Sequence, residues 1–255
     1  PIDLPAYSPW NFWHDPERCF RGSALLAFDT KTDRVLWWDT LIPREGCRCL
    51  LHDNRRGLLY ALGYPRDHLI VYDLRSRRSR DLGRIGSVNA QVLFLDARGR
   101  VWTSDDYGHL VRYDPESDRI RRSPWILPHD PLYQTGWHSV FYDAVASPDG
   151  SYVYAATWNG RPWLMRFRMN EGDWPEVESL GAVTPPHDPK VPEDYFIDHC
   201  GGLTFADDGM LYYVASRWEG DAAPTMRDLP RSKKNPAEAD RNVVQGVVWR
   251  MDPET

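Results

Sequence analysis

With 255 residues, 42% of them hydrophobic and including 12 Trp and 13 Tyr, the chain has material for one large core and is too apolar to stay disordered. A net charge of −6 excludes the broad basic surface by which proteins hold nucleic acid. No apolar run approaches the roughly 18–20 residues that a membrane-crossing helix needs, so membrane insertion is not expected.

In chain order, residues 5–22 carry Trp10, Phe12, Trp13 and His14 and read as a long loop before a strand. A strand then ends in an aromatic-Asp pair (Ala24-Leu-Leu-Ala-Phe-Asp29), followed by Arg34-Val-Leu-Trp-Trp-Asp39. From there one unit repeats: a short apolar strand, an Asp/Gly turn, a second strand, a loop, and a third strand of the same aromatic-Asp type. The turns are Asp53-Asn-Arg-Arg-Gly57, Asp96-Ala-Arg-Gly99, Ser147-Pro-Asp-Gly150 and Ala206-Asp-Asp-Gly209. Their glycines recur at the period of propeller blades, not of helical solenoids. The third strands align residue by residue: His68-Leu-Ile-Val-Tyr-Asp73, His109-Leu-Val-Arg-Tyr-Asp114, Trp163-Leu-Met-Arg-Phe-Arg168 and Val247-Val-Trp-Arg-Met-Asp252. Helical periodicity is absent.

These features predict an all-β fold, a β-propeller of four-stranded blades forming a single domain over residues 1–255. With strands A to D counted outward from the axis, the units fall at about 24–41 (C and D only), 44–82, 87–123, 137–180 and 197–255 (without D). About four and a half blades would leave sheet faces and edges open. Two outcomes are compatible with that: a longer polypeptide of seven blades of which both ends are missing here, or closure by pairing of the incomplete end blades.

The Asp-Gly turns and the Tyr-Asp-Pro-Glu-Ser hairpin of residues 113–117 resemble the propeller superfamily of NHL, YVTN and SMP-30-like repeats over residues 24–255. The resemblance implies the fold and carries no chemistry; function has to be argued from a site. WD40 repeats do not fit, because no Trp-Asp pair recurs at strand ends.

In a propeller the D–A and B–C loops emerge on one face around the axis. Six of the eight histidines map there: His68 and His109 at the mouths of C strands, His129 and His138 in or after one D–A loop, His187 and His199 in or after the next. Tyr107, Tyr133, Trp158, Asn159, Arg161, Tyr195, Asp198, Arg217 and Trp218 share that face, and a long polar loop spans 217–245. Indoles beside amides and guanidinium groups suit a sugar, with the ring on an aromatic platform and planar polar groups reading hydroxyls or a carboxylate. Blade-on-blade packing explains Trp158 and Trp163 equally well.

Three functions compete. The first is β-elimination on a uronic-acid-containing oligo- or polysaccharide, with His138 or His199 as base, Tyr195 as acid and Arg217 or Arg161 neutralising the carboxylate. Trp158, Asn159, Arg161, Trp218, His109 and Tyr107 would bind the chain. The layout is similar to that of propeller polysaccharide lyases in placing His, Tyr and Arg around one rim, and a glycan substrate would favour a secreted or periplasmic setting. The second is a non-catalytic propeller binding a glycan or a protein. The third is a metal-dependent lactonase or esterase of the SMP-30 type. For it, Asp143 and Asp198 are the candidate ligands, with His138 and His199 nearby.

Asp143 interrupts an apolar strand and needs a partner there, a metal, an Arg or backbone N–H groups, and the backbone alternative is preferred. No cofactor is otherwise indicated. No Gly-x-Ser-x-Gly elbow or phosphate-binding glycine loop is present. The four cysteines show no metal spacing, and whether Cys19 meets Cys200 is open. Oligomeric state is not legible.

Overall fold

A computed structural model describes residues 21–64, 66–86, 91–129, 140–157, 162–170, 172–183, 199–218 and 244–253. The chain is an all-β propeller built from antiparallel blades, and among the described residues there is no helix. Two strands, β1 (Gly22–Asp29) and β2 (Arg34–Pro43), form the first sheet. Next come β3 (Gly46–Asp53), β4 (Leu58–Tyr64), β5 (His68–Asp73) and β6 (Arg78–Arg84), a four-stranded sheet in sequential order. A second such sheet holds β7 (Phe94–Leu95), β8 (Val101–Ser104), β9 (His109–Asp114) and β10 (Arg119–Ile126). A third holds β11 (Phe141–Ala146), β12 (Tyr152–Thr157), β13 (Trp163–Arg168) and β14 (Glu176–Ala182). The last has three strands, β15 (His199–Phe205), β16 (Leu211–Trp218) and β17 (Val244–Met251). The chain divides into two compact units, residues 1–105 with 111–121, and residues 106–110 with 122–255.

Local chemistry explains the hairpins. In all four Asp/Gly turns the glycine N–H bonds back to the carbonyl of the turn's first residue, at 2.8–2.9 Å. Gly57, Gly99, Gly150 and Gly209 then lie at φ +67° to +77°, the left-handed region in which a side chain is strained. The Asp that closes each C strand has a second local function. Asp29, Asp73 and Asp114 each accept backbone N–H bonds from the residues two and three positions on. The chain then turns through a left-handed residue two positions later in the sequence than the first of those contacts: Asp33, Arg77 and Asp118, at φ +55° to +58°. The aromatic-Asp signature is therefore a turn device.

Strand alternation builds the core. In the first unit, Leu69 and Val71 of β5 join Tyr60, Leu93, Val101, Val111 and Tyr113, while Ile70 and Tyr72 on the opposite face join Leu41, Ile42, Leu59 and Ala61. In the second unit, Tyr154, Leu164, Cys200, Leu203, Leu211 and Tyr213 form the corresponding cluster. A polar clamp recurs in the first unit. Asp39 accepts from Tyr72 Oη and from both Nε and Nη2 of Arg77, and Asp118 accepts from Tyr113 Oη and from two nitrogens of Arg80. Leu26 and Trp38 lie directly opposite one another on β1 and β2 and are 56% and 66% exposed; they and Phe28 give that sheet an apolar outer face.

Candidate functional site

Of the residues expected to act on the D–A/B–C face, His138, Tyr195, Asp198, Trp158, Asn159 and Arg161 lie outside the described residues. His199 opens β15 with its Cα paired to Ser216, and Arg217 and Trp218 end the neighbouring β16. The register therefore sets His199, Arg217 and Trp218 at the same end of one hairpin.

Tyr107 and His109 sit at the loop joining β8 to β9. Tyr107 is 66% exposed. His109 Nδ1 lies 2.9 Å from the carbonyl of Ser123 on β10. A carbonyl only accepts, so the proton is on Nδ1. The same position in two other blades makes the same kind of contact. At the start of β5, His68 Nδ1 donates to Asp81 Oδ2 on β6 at 2.7 Å; at the start of β13, Trp163 Nε1 donates to Ser179 Oγ on β14 at 2.7 Å. The first residue of each of these C strands is thus a ring N–H donor that fastens the outermost strand. This use of the ring accounts for the equivalence of His68 and His109 in the repeat.

Asp143 has both carboxylate oxygens on backbone donors: Oδ1 accepts from Ala144 N–H and Oδ2 from Leu203 N–H on β15, each at 2.8 Å. Close approach of the two inner strands goes with this, since a Cβ on Gly201 would meet the Tyr142 ring at 3.1 Å. Cys200 lies beside Asp143; burial first, and then that carboxylate's charge, push its thiol up to about 12, where it is no nucleophile. Among the described residues no group of three His, Cys, Asp or Glu is arranged to hold a metal ion.

Two features escaped the sequence. Glu45, just before β3, is 2% exposed, and its Oε2 has no hydrogen-bond partner. It rests where a Cβ of Gly63 would otherwise stand, with Oε1 at 3.7 Å from His68 Nδ1. Burial raises its pKa, against the opposing pull of His68 and Arg66. Only the glycine on the adjacent strand hinted at space for it.

The second feature is a cleft of about 490 Å³ at the A–B and C–D turns, on the face opposite the expected site. Tyr152, Tyr154 and Arg166 of the third four-stranded sheet line it, together with Asp149 in the β11–β12 turn, Phe205 of β15 and Pro253 after β17. Arg166 is held by Glu178 Oε2 through Nε and Nη2 (2.9 and 2.5 Å), and its Nη1 donates to the Pro253 carbonyl at 2.8 Å. Two guanidinium groups lie near the Tyr152 ring, Arg166 at 5.0 Å and Arg168 at 5.4 Å from its centre. Asp149 is held down at about 2 by hydrogen bonds from the Ser147 and Ser151 hydroxyls and so stays ionised. Its turn signature was legible in the sequence, but the cleft was not.

No protein-family model matches the chain, and no curated protein matches it. Several solved structures are similar in fold. The extracellular domain of BT4673 from B. thetaiotaomicron, described as a one-component system, superposes with a TM-score of 0.55 at 13% identity over 87% of this chain and 27% of that one. Dihydro-heme d1 dehydrogenase NirN gives 0.55 at 15% identity over 83% of this chain and 42% of that one. An auxiliary nutrient-binding protein from Bacteroides thetaiotaomicron gives 0.50 at 11% identity, covering 82% and 56%. The chain thus spans between about a quarter and just over half of the length of these chains, and at such identities they are alike in fold alone.

Proposed function

We propose that this chain is a carbohydrate-active propeller that receives an acidic polysaccharide on the D–A/B–C face of its second unit. The observation that carries the proposal is the β15–β16 register, which sets His199, Arg217 and Trp218 at one hairpin end, where a base, a carboxylate-neutralising cation and an aromatic subsite are needed together. The chemistry that suits this set is β-elimination. His199 or His138 takes the proton next to the uronate carboxylate, whose developing charge Arg217 or Arg161 neutralises. The electron pair left behind forms the ring double bond and expels the glycosidic oxygen, which takes a proton from Tyr195. Trp158 and Trp218 serve as sugar platforms, with Asn159, Tyr107 and His109 along the groove.

A second reading, binding of the polysaccharide without turnover, is favoured by His109. Its Nδ1 fastens β10, as His68 fastens β6, so these rim rings have a structural use that requires no reaction. Incubation with a panel of acidic polysaccharides separates the two. Ultraviolet absorbance from an unsaturated uronate, lost in His138→Ala and His199→Ala while folding is retained, supports elimination. Binding with a flat absorbance trace supports the module, and neither binding nor product across the panel overturns both.

A further inference from the structure

The cleft at the A–B and C–D turns is independent of the rim and lies on the other face of the second unit. We propose that it is a saccharide-binding site for a neutral pyranose. Its volume, about 490 Å³, falls in the range of small-ligand sites, which run from about 300 to 1,000 Å³.

Its lining selects the ligand class. Phe205 is half-buried and stands edge to face on the buried Tyr154 ring, centres 5.5 Å apart, so its outer side offers an apolar patch of the kind that a sugar's C–H face covers. Polar groups cluster at the turn. Asp149 Oδ2 accepts from Ser151 Oγ at 2.7 Å, and a carboxylate oxygen has lone-pair capacity for a further hydroxyl. The Tyr152 hydroxyl accepts from Arg168 Nη2 at 2.6 Å and keeps its own proton to donate.

Charge argues against an anion. The Arg166 fork is already occupied by Glu178, and Asp149 and Glu176 add further negative charge around the two arginines. A ligand with hydroxyls and no formal charge meets matched donors and acceptors without displacing an ion pair.

The test uses the protein with 13C-labelled Tyr and Phe rings and, as probes, the methyl glycosides of glucose, galactose and mannose, together with cellobiose. Saturation transfer to at least one probe and concentration-dependent shifts of the Tyr152, Tyr154 and Phe205 rings are expected. Tyr152→Phe should weaken binding by up to about tenfold, the value of one hydrogen bond. Pro148→Trp should abolish it by filling the cleft from a turn position that donates no N–H. Acidic-polysaccharide binding at the rim should survive Pro148→Trp, which keeps failure of this site distinct from failure of the rim reading. Absence of ring shifts in the unmutated protein with every probe overturns the proposal whether or not the variants fold. Ring shifts that persist unchanged in a folded Pro148→Trp variant overturn it as well.

Discussion

Glu45 should make the protein less stable as the solution becomes less acidic, and Glu45→Gln should remove that dependence. The carboxyl is 2% exposed, Oε2 has no donor, and Gly63 below it offers only its backbone. The charged groups around it are His68, Arg66 and Asp81. Burial outweighs the first two, so the folded-state pKa lies above the ordinary 4.5. The sign follows. Below the unfolded pKa both states hold the proton and nothing is lost. As pH rises past that value the unfolded chain ionises first, and stability falls until the pH passes the folded pKa.

Above that window the cost should approach that of a buried polar group left without a partner, about 1–3 kcal/mol. Glutamine keeps the shape and cannot ionise. Urea unfolding followed by tryptophan fluorescence at a series of pH values is the assay. The two proteins should coincide in acid, and the variant should become more stable by about 1–3 kcal/mol towards neutral and alkaline pH. A stability difference independent of pH, or a variant less stable near neutrality, would refute the reasoning.

Further outcomes follow from particular contacts. Asp143→Ala should leave the Leu203 N–H without its acceptor and cost about 1–3 kcal/mol by thermal unfolding. Chelator should not change the wild-type midpoint, and a lowered midpoint would instead place a metal at this carboxylate. Gly99→Ala should destabilise by about 1–2 kcal/mol from the left-handed backbone alone. It should also displace Arg56, because the new Cβ would collide with its Nη1, which nitrogen-15 shifts of the Arg56 side chain would record. His109→Phe should lose about 0.5–1.5 kcal/mol with the bond to Ser123, as should Trp163→Phe with the bond to Ser179. Unchanged stability with weakened polysaccharide binding in His109→Phe would instead make that ring a ligand group.

Strands and turns were legible because each is specified within a few residues. A glycine at left-handed φ, an Asp accepting from the next turn's N–H groups and an alternating apolar strand leave marks in consecutive positions. The recurrence of Tyr72-Asp73 and Tyr113-Asp114 is one such mark, and it predicted the blade strands. Cross-blade relations have no such signature. The Asp143–Leu203 bond joins residues 60 positions apart, and the Arg166–Pro253 bond spans 87.

The same limit applies to the sites. Sequence placed histidines at the mouths of C strands, but not that His68 and His109 are turned onto their own outer strands. It marked Asp143 as needing a partner and preferred backbone N–H groups without saying whose; the tertiary fold supplied those of Ala144 and Leu203. It assigned the rim on the strength of side-chain types and gave no sign of the cleft on the other face, whose walls come from four separate stretches of chain. The sequence by itself determined the all-β propeller, since backbone sterics and strand alternation act locally. Only the tertiary structure decided which buried polar atoms are already satisfied, as at Asp143, and which are not, as at Glu45 Oε2, because desolvation and hydrogen bonding depend on neighbours that the chain brings from afar.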